Sequence, residues 1–207
     1  IADLAEAAGA NVQDVARGIG ADRRIGSKFL NAGPGYGGSC FPKDTRALIR
    51  TAQELGRPLR LVEAATAVNA ERHHTMTAKI VSACGGSVAG KRIGVLGLTF
   101  KPNTDDMREA PALAILADLI GQGAEIAAFD PEGMEAAKPL LPGVRMCPGP
   151  YEVAAGTDAL VLITEWTAFR SLDLGRLRRA MRTPVFIDLR NVYRGAAMAA
   201  AGFTYRS

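Results

Sequence analysis

The sequence predicts an α/β protein: a helical region with a long connecting helix, followed by a Rossmann-like domain on a doubly wound parallel sheet. Three observations predict it. From Lys91 onward four short, continuously apolar runs appear, "RIGVLGL", "AEIAAF", "DALVLIT" and "PVFIDL". Helical patterns such as "APALAILADLIGQG" and "LGRLRRAM" separate them. Strands apolar on both faces and alternating with helices imply a parallel sheet covered on both sides. The first 86 residues, by contrast, contain no such run.

Taken in order, "IADLAEAAGA" and "NVQDVARGIG" read as short helices stopped by glycine. Residues 42–55 predict a third helix, with Leu48, Ala52 and Leu55 on one face at helical spacing and Gly56 and Pro58 beyond it. Residues 59–83 predict a long helix whose stripe is Leu61, Ala65, Val68, Met76 and Ile80, ended by Gly85-Gly86. This helix is read as a connector, and its stripe as a candidate dimer surface. The expected domains are residues 1–86, helical, and residues 87–207, the α/β domain.

Composition narrows the function classes. The chain has 207 residues, 48% hydrophobic and 22% charged, with a formal net charge of +4. No apolar run approaches the roughly 20 residues that span a bilayer, and no charged-then-apolar leader opens the chain. The sequence begins at Ile1, in mid-pattern. Three cysteines (Cys40, Cys84, Cys147) without a C-x-x-C pair argue against a disulfide framework or a zinc site and for a reducing, cytoplasmic setting. The arginines are scattered rather than laid out as a basic stripe with interleaved aromatics, so small anionic ligands fit better than nucleic acid.

The stretch Gly33 to Cys40, "GPGYGGSC", matches the letters G-x-G-x-x-G. A dinucleotide loop needs a buried strand before it and a strand with an acidic residue after its helix. Here "RIGSKFLNA" is too polar for the first, and no strand follows until about residue 92. The glycines instead allow backbone N–H groups to come close to a ligand beside Cys40. Pro42 sits well in the first turn of the next helix, placing Cys40 at that helix's N-terminus, where the dipole and Lys43 favour thiolate. Asp44 lies one turn on, within reach of a water or hydroxyl over the sulfur. On these residues alone Cys40 stands evenly between a small buried hydrophobe and a nucleophile. Cys84 and Cys147 lack such surroundings, and His73-His74 reads as a solvated polar face.

The segment "RIGSKFLNAGPGYGGSCFPKDTRAL" resembles the active-site signature of the UDP-glucose 6-dehydrogenases. "GVLGLTFKPNTDDMREAPA", "FDP", "ITEW" and "IDLRNVY" resemble the same family's C-terminal nucleotide-sugar domain, in order and spacing. The resemblance implies an NAD-dependent, four-electron oxidation of UDP-glucose to UDP-glucuronate through a thiohemiacetal and thioester on Cys40, with Asp44 assisting the water or base steps. It implies substrate contacts from Phe29, Leu30, Asn31, Gly33, Gly35, Tyr36 and Gly37, from Lys101 and Arg190 at strand ends, and from Arg24 reaching across a homodimer. It implies cofactor contacts from Lys43 and Arg108. Trp166 is expected to pack the sheet end rather than stack on a base.

The family's N-terminal NAD-binding domain and its catalytic lysine and asparagine are not among these residues, so the chain is expected to be the substrate and dimerisation half and to be inactive alone. Three other readings stay open. One is a GDP-mannose or related nucleotide-sugar dehydrogenase; another is a non-catalytic sugar-nucleotide-binding or dimerisation module. The last is a thiol hydrolase, which would need a histidine base.

Overall fold

The computed structural model describes all residues, Ile1 to Ser207, in two units, Ile1–Gly33 and Pro34–Ser207. The first unit holds α1 (Ala2–Ala7) and α2 (Val12–Gly20). Asn11 caps α2, its side chain accepting from the Gln13 N–H at 2.9 Å, which satisfies one of the free donors at a helix start.

The second unit begins with the glycine loop and α3 (Phe41–Glu54), followed by α4 (Arg60–Ala83). The sheet domain then runs β1 (Arg92–Leu96), α5 (Pro111–Gly121), β2 (Glu125–Phe129), α6 (Met134–Ala137) and β3 (Val144–Met146). It continues through α7 (Pro150–Ala154), β4 (Ala159–Leu162), α8 (Leu174–Ala180), β5 (Val185–Asp188), α9 (Gly195–Ala200) and β6 (Thr204–Arg206). All six strands are parallel, in the order β3-β2-β1-β4-β5-β6. This is the expected doubly wound sheet, with its topological switch between β1 and β4, where open α/β sheets leave a crevice at the carboxyl ends of their strands.

The apolar runs explain the layers. Along β4, Ala159 and Val161 face the α4–α5 side while Leu160 and Leu162 face α7–α9; β5 splits Val185 and Ile187 from Phe186 in the same way. With period-two alternation and helices on both faces, every position is buried and the run reads as continuously apolar. β3 and β6 escaped the sequence reading: each has three residues, lies at a sheet edge, and carries the polar Arg145 or Thr204 and Arg206.

By its contacts the chain divides at Gly33, and Met76 and Ile80 of α4 are buried in the sheet's core. Two expectations are corrected. The stripe on α4 is not uniform: Met76 and Ile80 are 2% and 0% exposed, whereas Leu61 and Val68 are 88% and 61% exposed. On α3, Ala52 is buried but Leu48 and Leu55 are exposed. Leu48, Leu55, Leu61 and Val68 are therefore left uncovered. No helix is long and apolar enough to cross a membrane.

Candidate functional site

Cys40 is the residue immediately before α3 and its N-cap, with Pro42 in the first turn and Asp44 N–H donating to the Cys40 carbonyl at 2.8 Å. It is the one exposed cysteine; Cys84 and Cys147 are buried, and burial pushes both of their thiols up. Ser39 Oγ lies 3.6 Å from Cys40 Sγ. Lys43 and Asp44 pair at 2.6 Å, so the Asp44 carboxylate is turned to its neighbour rather than over the sulfur.

Each glycine of the loop has its own neighbour. Gly35 (φ +125°) lies against α4, where a Cβ would stand 2.9 Å from Asn69 Oδ1 and 3.1 Å from His73 Nε2. Gly38 (φ +90°) lies against the Phe100 ring, and its N–H donates to the Arg108 carbonyl at 2.8 Å. A Cβ at Gly37 would fall within the van der Waals sphere of the Glu109 carbonyl oxygen. Glu109 itself is left-handed (φ +49°), an unfavourable conformation for a side chain of that size. Arg46 of α3 grips its carboxylate with two bonds of 2.5 and 2.9 Å and holds the carboxyl below its usual range. The thiol loop is thus seated between α4 and the segment that follows β1.

That segment carries the expected charged residues. Lys101 is exposed, its Nζ 5.2 Å from the Phe100 ring centre. Arg108 bonds the Asp106 carboxylate through its guanidinium and its backbone N–H, which hold that carboxyl below its usual range. Lys43 and Arg108 are both kept firmly protonated, chiefly by Asp44 and Asp106 respectively, and Cys40 adds to the effect on each. Two exposed cations therefore flank one exposed thiol at a helix N-terminus, an arrangement suited to anionic groups.

Arg190, just past β5, is turned inward. Its guanidinium donates to the Ile163 and Phe100 carbonyls at 2.9 and 3.4 Å and pairs with Glu165 at 2.9 Å, and burial pulls its affinity for the proton down. Asp130, after β2, is fully buried and accepts from the N–H groups of Leu98, Thr99, Glu132 and Gly133, from Thr99 Oγ1, and from Trp166 Nε1. One carboxylate thus ties together the carboxyl ends of β1, β2 and β4, and Trp166 packs the sheet end. Asn69, Arg46, Glu109 and Asp130 were not singled out in the sequence. Asp130 falls in the quoted "FDP", while nothing local marks Asn69, Arg46 or Glu109. His73 is half-buried against Gly35 rather than solvated, while His74 is exposed and bonded to Asp118 at 2.9 Å.

In the first unit, Arg24 is exposed and paired with Asp22, Phe29 is 96% exposed, and Asn31 Nδ2 donates to the Lys28 carbonyl at 3.4 Å. Leu30 and Asn31 line an apolar cavity of about 190 Å³ with Val12, Val15 and Ile19. Gly33 closes the unit. No group of three or more His, Cys, Asp or Glu side chains gathers as a metal would require.

Fold and site together define a Rossmann-like α/β protein with a thiol presented beside the carboxyl edge of its sheet. Residues 1–71 match the central domain of the UDP-glucose/GDP-mannose dehydrogenase family, and residues 94–195 match that family's UDP binding domain. The chain belongs to this family. It is 59% identical over all 207 residues to UDP-glucose 6-dehydrogenase of Rhizobium meliloti (strain 1021), covering 47% of that protein. It is 42% identical over 212 residues to the UDP-glucose 6-dehydrogenase of Pseudomonas aeruginosa (PAO1 strain), covering all of this chain and 47% of that protein. The solved UDP-glucose dehydrogenase of Pyrobaculum islandicum superposes with a TM-score of 0.86 at 33% identity, covering 99% of this chain and 45% of that one. The chain spans about half the length of the curated relatives it matches.

Proposed function

We propose that this chain is the substrate-binding and thiol-bearing part of an NAD-dependent UDP-glucose 6-dehydrogenase, which converts the C6 alcohol of UDP-glucose to the carboxylate of UDP-glucuronate. The observation that carries the reading is Cys40: exposed at the start of α3, flanked by Lys43 and Arg108, and seated on the segment bearing Lys101.

Two exposed cations beside the thiol fit a cofactor pyrophosphate, so Lys43 and Arg108 are the residues of this chain that would hold it. Two NAD+ molecules, bound in turn, would each accept one of the two hydrides released between alcohol and carboxylate. Cys40 makes the second oxidation accessible: its thiolate adds to the C6 aldehyde, the resulting hemithioacetal is oxidised to a thioester, and water releases the acid and restores the thiolate. Asp44, one turn along α3 and exposed, is assigned to assist the water, a role that requires its carboxylate to leave Lys43.

Lys101, at the end of β1, is assigned to the substrate's diphosphate, where an open α/β sheet receives its ligands. Arg190 serves through the Phe100 carbonyl it holds. The stretch Gly35, Tyr36 and Gly37 is assigned to the sugar phosphates, with the Tyr36 backbone itself held by Asn69; the family resemblance assigns Arg24, Phe29, Leu30, Asn31 and Gly33 to the substrate as well, Arg24 to that of a second subunit. The uncovered residues Leu48, Leu55, Leu61 and Val68 are assigned to that subunit contact.

In the intact protein, Cys40→Ala should lower UDP-glucuronate formation by about 10³-fold or more, measured by NADH release with UDP-glucose. Activity within tenfold of the parent would overturn the role of Cys40. Faster turnover of GDP-mannose than of UDP-glucose would shift the substrate assignment within the family.

A further inference from the structure

We propose that Asn69 is a positioning residue for Cys40, holding the glycine loop so that the thiol meets its substrate in one geometry. The inference rests on the dehydrogenase reading. Asn69 of α4 makes both bonds a side-chain amide can offer to one peptide unit pair: its Oδ1 accepts from the Tyr36 N–H at 2.8 Å, and its Nδ2 donates to the Tyr36 carbonyl at 3.2 Å. This two-point grip fixes both the position and the rotation of the Tyr36 backbone, as a strand neighbour would.

The constraint passes on to the sulfur. The Tyr36 ring meets Phe41 edge-on, with centroids 4.7 Å apart and planes at 85°. Phe41 is the residue directly after Cys40, so the thiol is bracketed between a residue clamped by its backbone and a residue held by its ring. On the far side of the loop, Arg108 and Glu109 meet Gly38 and Gly37. Gly35 lies close against Asn69 and His73, where an added Cβ would stand 2.9 Å from Asn69 Oδ1, so the loop is seated directly on α4 at this point. Asn69 touches no reacting atom in this arrangement; it acts through Tyr36 and Phe41, on a loop whose glycines would otherwise be free to move.

The test compares Asn69→Ala with Ile80→Val in the intact protein. Ile80 is fully buried on the same helix, remote from the clamp, and the change lowers stability without touching the loop. Two readouts are taken: kcat and KM for NADH formation, and the rate of iodoacetamide alkylation followed at the tryptic peptide that carries Cys40. Asn69→Ala should lower kcat about tenfold or more with KM for NAD+ nearly unchanged, and should change the Cys40 alkylation rate by about threefold or more; Ile80→Val should alter neither. Asn69→Asp keeps the acceptor for the Tyr36 N–H and loses the donor, so it should fall between parent and Asn69→Ala, and it is read by the same measurements if Asn69→Ala does not fold. If the Asn69 variants match Ile80→Val in both readouts, differing only in melting temperature, the clamp is merely structural and the proposal fails. A parent protein without NADH formation would refute the dehydrogenase reading, while the alkylation rates would still decide the role of Asn69.

Discussion

His73 shows how a residue's setting turns into pH dependence. Burial, and then the neighbouring His74, push its affinity for the proton below the ordinary value, with Asp118 opposing them. The folded chain therefore protonates His73 later than the unfolded chain does, near pH 6.5. Stability contributed this way is present above that pH and is lost as pH falls through it toward the folded value, because the unfolded state takes up the proton first. The melting temperature should thus decline between about pH 7.5 and 5.5, and His73→Gln should flatten the decline; equal slopes would show that the fold does not disfavour protonation of His73. At this scale the sequence was informative about Cys40, since a cysteine after glycines and before Phe-Pro is a local pattern. It was silent on Glu109, whose left-handed backbone and bond to Arg46 arise from residues 63 positions apart.

The long helix α4 is one element with two environments. Its second half is core: Ile80 and Met76 pack with Ile115, Leu116 and Leu119 of α5 against the sheet. Its first half, with α3, leaves Leu48, Leu55, Leu61 and Val68 uncovered. Periodicity reveals that a stripe is apolar but not what covers it, which is why both halves looked alike in the sequence. If the uncovered half is a subunit contact, Leu61→Glu should halve the mass seen in sedimentation while changing monomer stability by no more than about 0.5 kcal/mol. An unchanged mass would remove Leu61 from the contact. The four central strands were legible because burial on both faces makes their runs continuous. β3 and β6 were not, being short, at the edges and partly polar.

Across the whole chain, the sheet's carboxyl edge is organised around Asp130, whose two oxygens accept from six donors on three strand ends. Removing it leaves buried N–H groups without acceptors, so Asp130→Ala should cost about 3 kcal/mol or more, read by urea unfolding; a loss under about 1 kcal/mol would mean that water replaces it. The "FDP" motif made Asp130 visible but not its role, because its donors come from three segments that only the fold brings together.

The central claim, that this half-length chain carries the UDP-sugar site, is tested most directly by its melting temperature with UDP, UDP-glucose, UDP-N-acetylglucosamine and GDP-mannose. A ligand bound by the folded state alone must raise it. UDP and UDP-glucose should stabilise the chain, and GDP-mannose should do so little or not at all. Stabilisation by GDP-mannose equal to that by UDP-glucose, or none by any uridine nucleotide, would contradict it.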